Sequence, residues 1–218
     1  MAKEREIAKK IVEAIKSLNI NDIKRAYTEY NIPKEQYESV LKDYFELDVP
    51  EVFAKPDIVL IAEDLQKRID EYMLIAVELK YFEKTSKPKD LKRKLRGAFR
   101  EIGQPLRYYL YGFDCAILWH IFSEDVDSDL IRSYSNLIAE FFERMKLPVA
   151  YFSTKMFSVY EYELYKPSEL GKQDLNYIVS WILGSCRERV RNPLFLEDYS
   201  KDEITKRRRA LKTALRVP

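Results

Sequence analysis

Short apolar runs rich in β-branched residues constrain the fold of this sequence more than any other feature. Runs of this length and composition are typical of buried strands. They comprise residues 58–61, 72–77, 114–121 and 148–152. Residues 89–111 and 129–145 lie between them and have helical periodicity. This alternation predicts an α/β fold with a central mixed sheet flanked by helices.

The sequence on either side of these runs has its own pattern. Apolar residues at helical spacing predict helices over residues 4–18 and 33–47, and Asn21 or Asp22 is placed to cap another helix that ends at residue 30. After the runs, the pattern predicts a strand over 158–165 and a helix over 173–187, followed by a basic tail that forms a last helix or stays mobile. The N-terminal part is therefore expected to be helical.

Composition excludes several classes of protein. Five glycines in 218 residues leave no dinucleotide-binding fingerprint and no phosphate-binding loop, so nucleotide hydrolysis by a P-loop is excluded. Cys115 and Cys186 do not suit a disulfide framework. No run approaches the roughly eighteen apolar residues of a membrane helix. We therefore expect an intracellular protein with no membrane partner.

Basic residues are concentrated in two stretches, although the net charge is only +2. Residues 83–100 carry eight basic residues against two acids, and residues 201–218 carry seven against two. Such stretches are typical of solvated helix faces and soluble tails, and they also suit a phosphate backbone. The charge pattern thus allows a nucleic-acid partner without requiring one.

Charged residues interrupt two of the predicted strands. Asp57 follows a proline directly before one apolar run, and Glu78 and Lys80 share one face at the end of the next, opposite Val77 and Leu79. Burial of a carboxylate costs several kcal/mol unless it is paired or bound to a metal. These residues therefore form either a divalent-metal site acting on phosphate or an ordinary ion cluster at a sheet edge.

In this arrangement the sequence resembles the PD-(D/E)XK nuclease superfamily, whose restriction-endonuclease-like core is a central sheet flanked by helices with the motif on adjacent strands. The resemblance covers residues 55–152. Gln104 and Tyr108 are similar to the QxxxY element of the RecB-like, Cas4-like and λ-exonuclease-like branch. The upstream histidine of the RecB-like branch is missing, since His120 is the only histidine, and there is no cysteine cluster for an iron–sulfur site.

The resemblance implies a Mg²⁺- or Mn²⁺-dependent deoxyribonuclease. Asp57, Glu78 and the backbone carbonyl of Leu79 would hold the metal, and Lys80 would orient the attacking water or stabilise developing charge. Gln104 and Tyr108 would hold the scissile phosphate or a metal-bound water. Resolvases of the superfamily carry a further glutamate on their first helix. The candidates for this third acid are Glu13, Glu6, Glu38 and Glu46.

The resemblance also implies the partners and the domain plan. We expect one domain over residues 1–218, with a helical N-terminal part (1–54), a catalytic core (55–153) and a C-terminal extension with the basic tail (154–218). Flanking DNA phosphates would bind to Lys92, Arg93, Arg96, Arg100 and Arg107. A homodimer is expected, as is an archaeal or archaeal-virus source with a place in DNA repair or recombination.

Several alternatives stay open at this point. The substrate is single-stranded DNA, a duplex end, a flap or a four-way junction, and cleavage is internal or from an end. A non-catalytic nucleic-acid-binding or assembly protein on the same fold is the competing class.

Overall fold

A computed structural model describes residues 2–20, 22–29, 55–65, 71–85, 88–188, 191–195 and 198–217. The described strands form one mixed sheet of seven strands, whose spatial order follows the chain. The strands are β1 (Ile23–Thr28), β2 (Ile58–Glu63), β3 (Tyr72–Phe82), β4 (Cys115–Ser123), β5 (Ala150–Met156), β6 (Glu161–Lys166) and β7 (Leu170–Asp174). The predicted α/β sheet is confirmed.

Helices cover both faces of this sheet. The described helices are α1 (Ala2–Leu18), α2 (Pro88–Arg100), α3 (Arg107–Leu110), α4 (Ser128–Arg144), α5 (Leu175–Glu188) and α6 (Asp198–Ala214). Short 3₁₀ turns at Gln104–Leu106 and Pro193–Phe195 precede α3 and α6. None of these helices is long and apolar enough to cross a membrane.

The directions of the strands divide the sheet into three parts. Strands β1, β2 and β3 form an antiparallel meander, and so do β5, β6 and β7. Strands β3, β4 and β5 are parallel. Parallel neighbours need a crossover connection, and α2 with α3 supplies one while α4 supplies the next. The carboxyl ends of β3 and β4 therefore lie side by side.

The core has one apolar layer on each side of the sheet. On one face, α1 and α5 pack against residues such as Val77 and Leu79 of β3. On the other face, α2 and α4 cover Leu118 and Phe122 of β4. Central strands buried on both faces have continuous apolar sequences, which explains why the apolar runs in the sequence located them.

The second face of β3 contains a polar interruption. Ala76 packs into the apolar cluster beneath α6, and Phe82 packs into the cluster beneath α2 and α4. Glu78 and Lys80 lie on the same face between these two residues, because side chains alternate along a strand. The fold thus places the predicted site residues in a gap between two apolar clusters.

The prediction of a helix over residues 22–30 is wrong, because the described residues there form β1. Lys24 and Arg25 are exposed, whereas Ala26 and Thr28 are buried. Ala26 pairs with Leu60, so β1 adds an antiparallel edge to the sheet. The predicted helix over residues 33–47 lies outside the described residues.

The helix that we predicted over residues 89–111 is interrupted. Helix α2 ends at Arg100, and a turn and a 3₁₀ turn containing Pro105 separate it from α3. Proline has no N–H to donate and disfavours a helical conformation of the residue before it. Downstream, β7 precedes the helix predicted from residue 173, so α5 begins at Leu175.

The basic tail forms a helix, α6, that belongs to the core. The Arg208 side chain is buried, and its Nε and Nη2 donate to the two carboxylate oxygens of Asp114 at 2.7 and 2.9 Å. Gly112 has a φ of 91°, and a Cβ there would lie 2.6 Å from the backbone nitrogen of Arg208. The tail is therefore packed closely against the turn before β4.

Candidate functional site

Two carboxylates meet where β2 begins and β3 ends. Ile58 pairs with Val77 across the antiparallel ladder, so Asp57 lies opposite Glu78. An Asp57 carboxylate oxygen accepts a hydrogen bond of 2.8 Å from the Leu79 backbone N–H. The sequence placed these two acids on neighbouring strands, and the structure brings them together.

Lys80 completes this group from the same face of β3. Its Nζ donates to an oxygen of Glu78 at 3.0 Å and forms an ion pair with Glu101 at 3.1 Å. The side chains of Lys80 and Glu78 are only 15% and 10% exposed. In such a poorly hydrated setting, charge interactions are stronger than they are at the surface.

The protonation states follow from this arrangement. Burial, followed by the charge of Glu78, raises the pKa of Asp57 from its usual 3.8 to about 7. Burial alone would lower the pKa of Lys80, but Glu78 and Glu101 outweigh it and raise that pKa. Lys80 therefore stays positively charged. The negative charge near Asp57 exceeds the single positive charge of Lys80.

Of the two residues that resemble the QxxxY element, Tyr108 lies beside the same carboxylate. Tyr108 of α3 is fully buried, and its hydroxyl donates a hydrogen bond to Glu78. Gln104 begins the 3₁₀ turn that packs against β3 and β4. Its side-chain oxygen is buried and has no hydrogen-bond partner among the described residues. Tyr108 thus fixes the orientation of Glu78, whereas the Gln104 oxygen makes no such bond among the described residues.

The two first-helix acids that the sequence proposed as a third acid are exposed and pair with lysines of α1. Glu13 is exposed and lies 3.9 Å from Lys9, one turn away on α1. Glu6 is exposed and pairs with Lys10 at 2.6 Å. The remaining candidates lie outside the described residues: Glu38 and Glu46.

Two acids that sequence reasoning missed lie next to the site. The negative charge of Glu4, in the first turn of α1, contributes to the raised pKa of Asp57. Glu101 pairs with Lys80. Glu4, Lys80 and Glu101 line one cleft of about 260 Å³. A signal for Glu101 was present, because it is the only acid between Asp90 and Asp114.

The oxygen atoms of this group are of the kind that a hard divalent cation takes as ligands. Asp57 and Glu78 offer carboxylate oxygens, and Leu79, which follows Glu78 on β3 and donates its N–H to Asp57, offers a carbonyl oxygen. Mg²⁺ prefers oxygen ligands and retains several waters, so one or two carboxylates suffice. A group of three histidine, cysteine or acidic side chains arranged to hold a metal is absent from the part of the chain that the structure describes.

His120 lies next to Lys80 in the parallel ladder and is completely buried. Burial, and then the positive charge of Lys80, lower its pKa to about 3. Its Nδ1 lies 3.1 Å from the Tyr151 hydroxyl, and its Nε2 has no hydrogen-bond partner among the described residues. The imidazole is therefore neutral at physiological pH, which suits packing rather than proton transfer.

The five predicted phosphate-binding residues lie on or just after α2, but they are not equivalent. Arg93 is exposed and lies 3.6 Å from Asp90. Arg107 is half-buried, and its Nε donates to the Gln104 carbonyl at 3.4 Å. The other three are exposed on α2: Lys92, Arg96 and Arg100. The α2 surface thus keeps exposed positive charge, as α6 does at Lys201, Lys206 and Arg209 although its Arg208 is buried.

The chain was compared with protein-family models, with curated proteins and with solved structures, and none of them matches it. The site must therefore be interpreted from its own geometry.

Proposed function

We propose that this protein is a metal-dependent nuclease that hydrolyses DNA phosphodiester bonds. One observation carries the proposal: Asp57, Glu78 and Lys80 converge in a half-buried group beside a cleft, although 21 positions separate the first two in sequence. A buried group of charges with a strongly perturbed carboxylate is typical of functional sites.

The proposed chemistry assigns a role to each residue. Asp57, Glu78 and the Leu79 carbonyl would hold Mg²⁺ or Mn²⁺, and the ion would supply a water of lowered pKa and neutralise charge on the phosphate. Lys80, a compact cation, stabilises negative charge that develops on the phosphate oxygens. Tyr108 keeps the Glu78 carboxylate oriented through its hydrogen bond. Glu101 holds the Lys80 ammonium in place before substrate binds.

Support for a restriction-endonuclease-like fold comes from the position of the motif. In that superfamily the motif lies on adjacent strands of a central sheet flanked by helices. Here Asp57 lies at the start of β2 and Glu78 and Lys80 lie on β3, and the two strands are neighbours. Tyr108 lies on the crossover that follows β3 and contacts the motif glutamate. These relations support the family assignment as a proposal.

A non-catalytic nucleic-acid-binding protein is the second candidate. It is favoured by the ion pairs that occupy Lys80 and by the lack of a three-ligand metal cluster in the described ranges. On this alternative, the acids and the lysine form a structural ion cluster, and only the α2 surface contacts DNA.

A cleavage panel separates the two candidates. Single strands, duplexes, flaps and four-way junctions are incubated with Mg²⁺, Mn²⁺ or chelator. We expect metal-dependent cleavage whose rate falls about 10²–10³-fold in Asp57→Ala and in Lys80→Ala, since each variant loses one electrostatic contact. Glu13→Ala is the matched control, because it removes an exposed acid of α1 that pairs with Lys9. Full activity in Asp57→Ala would contradict the nuclease proposal, as would no cleavage of any substrate.

The expected homodimer is part of this proposal and has a separate test. Light scattering of the protein with and without a four-way junction measures its mass directly. A dimer would place two sites on one assembly, which suits paired cuts in a junction, whereas a monomer would suit ends.

A further inference from the structure

A second concavity lies on the flank of α2 away from the cleft. It has a volume of about 400 Å³ and runs between α2 and α4. Cavities of this size accommodate small ring systems. Its walls combine three cations with apolar side chains: Lys92, Arg96, Arg100, Phe99, Tyr134 and Leu137.

The three cations form a regular row. They occupy every fourth position of α2, so they share one side of the helix and lie about 6 Å apart along its axis. Their neighbours Arg93 and Lys94 have acidic partners, Asp90 and Glu83. Lys92, Arg96 and Arg100 have no carboxylate partner within the described ranges. A row of unneutralised cations favours a polyanion, whose successive charges can follow it.

The groove between these cations and α4 is apolar. Phe99 packs edge-on against Phe141 of α4 with ring centroids 5.8 Å apart, which holds the Phe99 ring in the groove wall. Leu137 is 54% exposed beside it. An aromatic surface next to a basic row binds unpaired bases by stacking, with little dependence on sequence. Duplex DNA keeps its base faces stacked inside and offers only its backbone to such a groove.

We propose that the groove between α2 and α4 binds an unpaired nucleic-acid strand, with phosphates along Lys92, Arg96 and Arg100 and a base against Phe99. This inference adds a substrate class to the proposed nuclease, and it rests on that proposed function. Helix α2 connects the two regions, because its opposite flank, including Glu101 in the turn that follows, lines the cleft with Lys80. The substrate class is then DNA with a single-stranded segment, rather than a continuous duplex.

The test measures binding without cleavage. Fluorescence anisotropy in EDTA and 0.1 M salt compares labelled oligothymidylate with a duplex of equal length. We expect the single strand to bind at least about fivefold more tightly, the least that stacking one base contributes. Arg96→Ala should weaken single-strand binding about fivefold and reduce the slope of log affinity against log salt by about 0.7.

Two further variants separate the groove from general charge. Arg209→Ala removes an exposed arginine of α6 that does not line the groove, and it should leave the affinity within about twofold of wild type. Leu137→Glu places a negative charge in the groove at an exposed position, and it should weaken single-strand binding without changing the melting temperature. Circular dichroism verifies that each variant is folded.

Equal affinity for the two DNAs, or equal losses in the Arg96 and Arg209 variants, would overturn the groove proposal even if the protein cleaves DNA. Equally tight binding of polyglutamate would indicate an acidic protein partner and overturn it too. Conversely, a protein that binds single strands through Arg96 but cleaves nothing would retain the groove and lose the nuclease proposal. The two failures are therefore distinguishable.

Discussion

Replacement of Asp57 by asparagine should stabilise the protein in the absence of metal. In wild type, burial and the charge of Glu78 raise the pKa of Asp57 from 3.8 to about 7. Ionised Asp57 is therefore unfavourable in the folded chain, and asparagine removes that charge. The amide oxygen of asparagine can still accept the hydrogen bond that the Leu79 N–H donates at 2.8 Å. The variant thus changes charge with little change of shape.

The pH dependence has a definite sign. Between pH 3.8 and about 7 the folded chain holds the Asp57 proton and the unfolded chain does not, so the free energy of unfolding falls as pH rises through this window. A full shift of that size corresponds to at most about 4 kcal/mol above pH 7. Because Asp57 shares the charge effect with Glu78 and retains some hydration, we expect about 1–3 kcal/mol.

Urea denaturation in EDTA at pH 4 and pH 8 measures this difference. Asp57→Asn should match wild type near pH 4 and exceed it at pH 8. The control Glu13→Gln removes an exposed acid and should shift the free energy of unfolding by less than about 0.5 kcal/mol at both pH values. An Asp57→Asn variant that is less stable than wild type at pH 8 would refute the reasoning, since the carboxylate would then be a net stabiliser.

Two further predictions concern groups that hold the site in place. Arg208→Met leaves Asp114 buried and unpaired, so it should lower the free energy of unfolding by about 3–5 kcal/mol in urea, whereas the exposed Arg209→Ala should change it by less than about 0.5 kcal/mol. Tyr108→Phe removes the hydroxyl that orients the β3 glutamate, so it should reduce Mg²⁺-dependent cleavage about 10–100-fold while circular dichroism stays unchanged. Unchanged cleavage would show that this hydrogen bond is structural only.

The central sheet could be predicted from sequence because its strands are buried on both faces. β2, β3 and β4 are nearly continuous runs of buried residues, and such runs are visible without any partner. The edge strands lacked that signal. In β1, Lys24 and Arg25 are exposed, and β7 contains no fully buried residue and is held by its ladder to β6. Strands defined mainly by backbone pairing leave little trace in hydrophobic periodicity.

Periodicity predicted the site residues that share a strand, and the resemblance added Asp57 and Tyr108, but the acids that only tertiary packing brings to the site were missed. Glu78 and Lys80 are two residues apart on one strand, so the sequence alone predicts that they share a face of the sheet. Glu4 and Glu101 approach the site only because α1 begins, and the turn after α2 lies, beside the carboxyl end of β3. Likewise, the burial of Arg208 depends on Asp114, 94 positions away. Contacts of this range depend on tertiary packing, which one sequence does not display.

Two buried charge groups of the described chain differ in a way that bears on function. Asp114 faces Arg208, with both carboxylate oxygens bonded to the guanidinium and one also to the Leu74 N–H, so charge and hydrogen bonding are balanced. Such a closed pair requires nothing further.

The group around Lys80 is unbalanced and open. Three acids, Asp57, Glu78 and Glu101, surround one lysine, which leaves an excess of two negative charges when all are ionised. The group also borders a cleft rather than packed side chains. A DNA phosphate alone would be repelled there, whereas a divalent cation balances the excess and attracts the phosphate. The contrast with the Asp114 pair favours a site that binds a cation over a structural ion cluster.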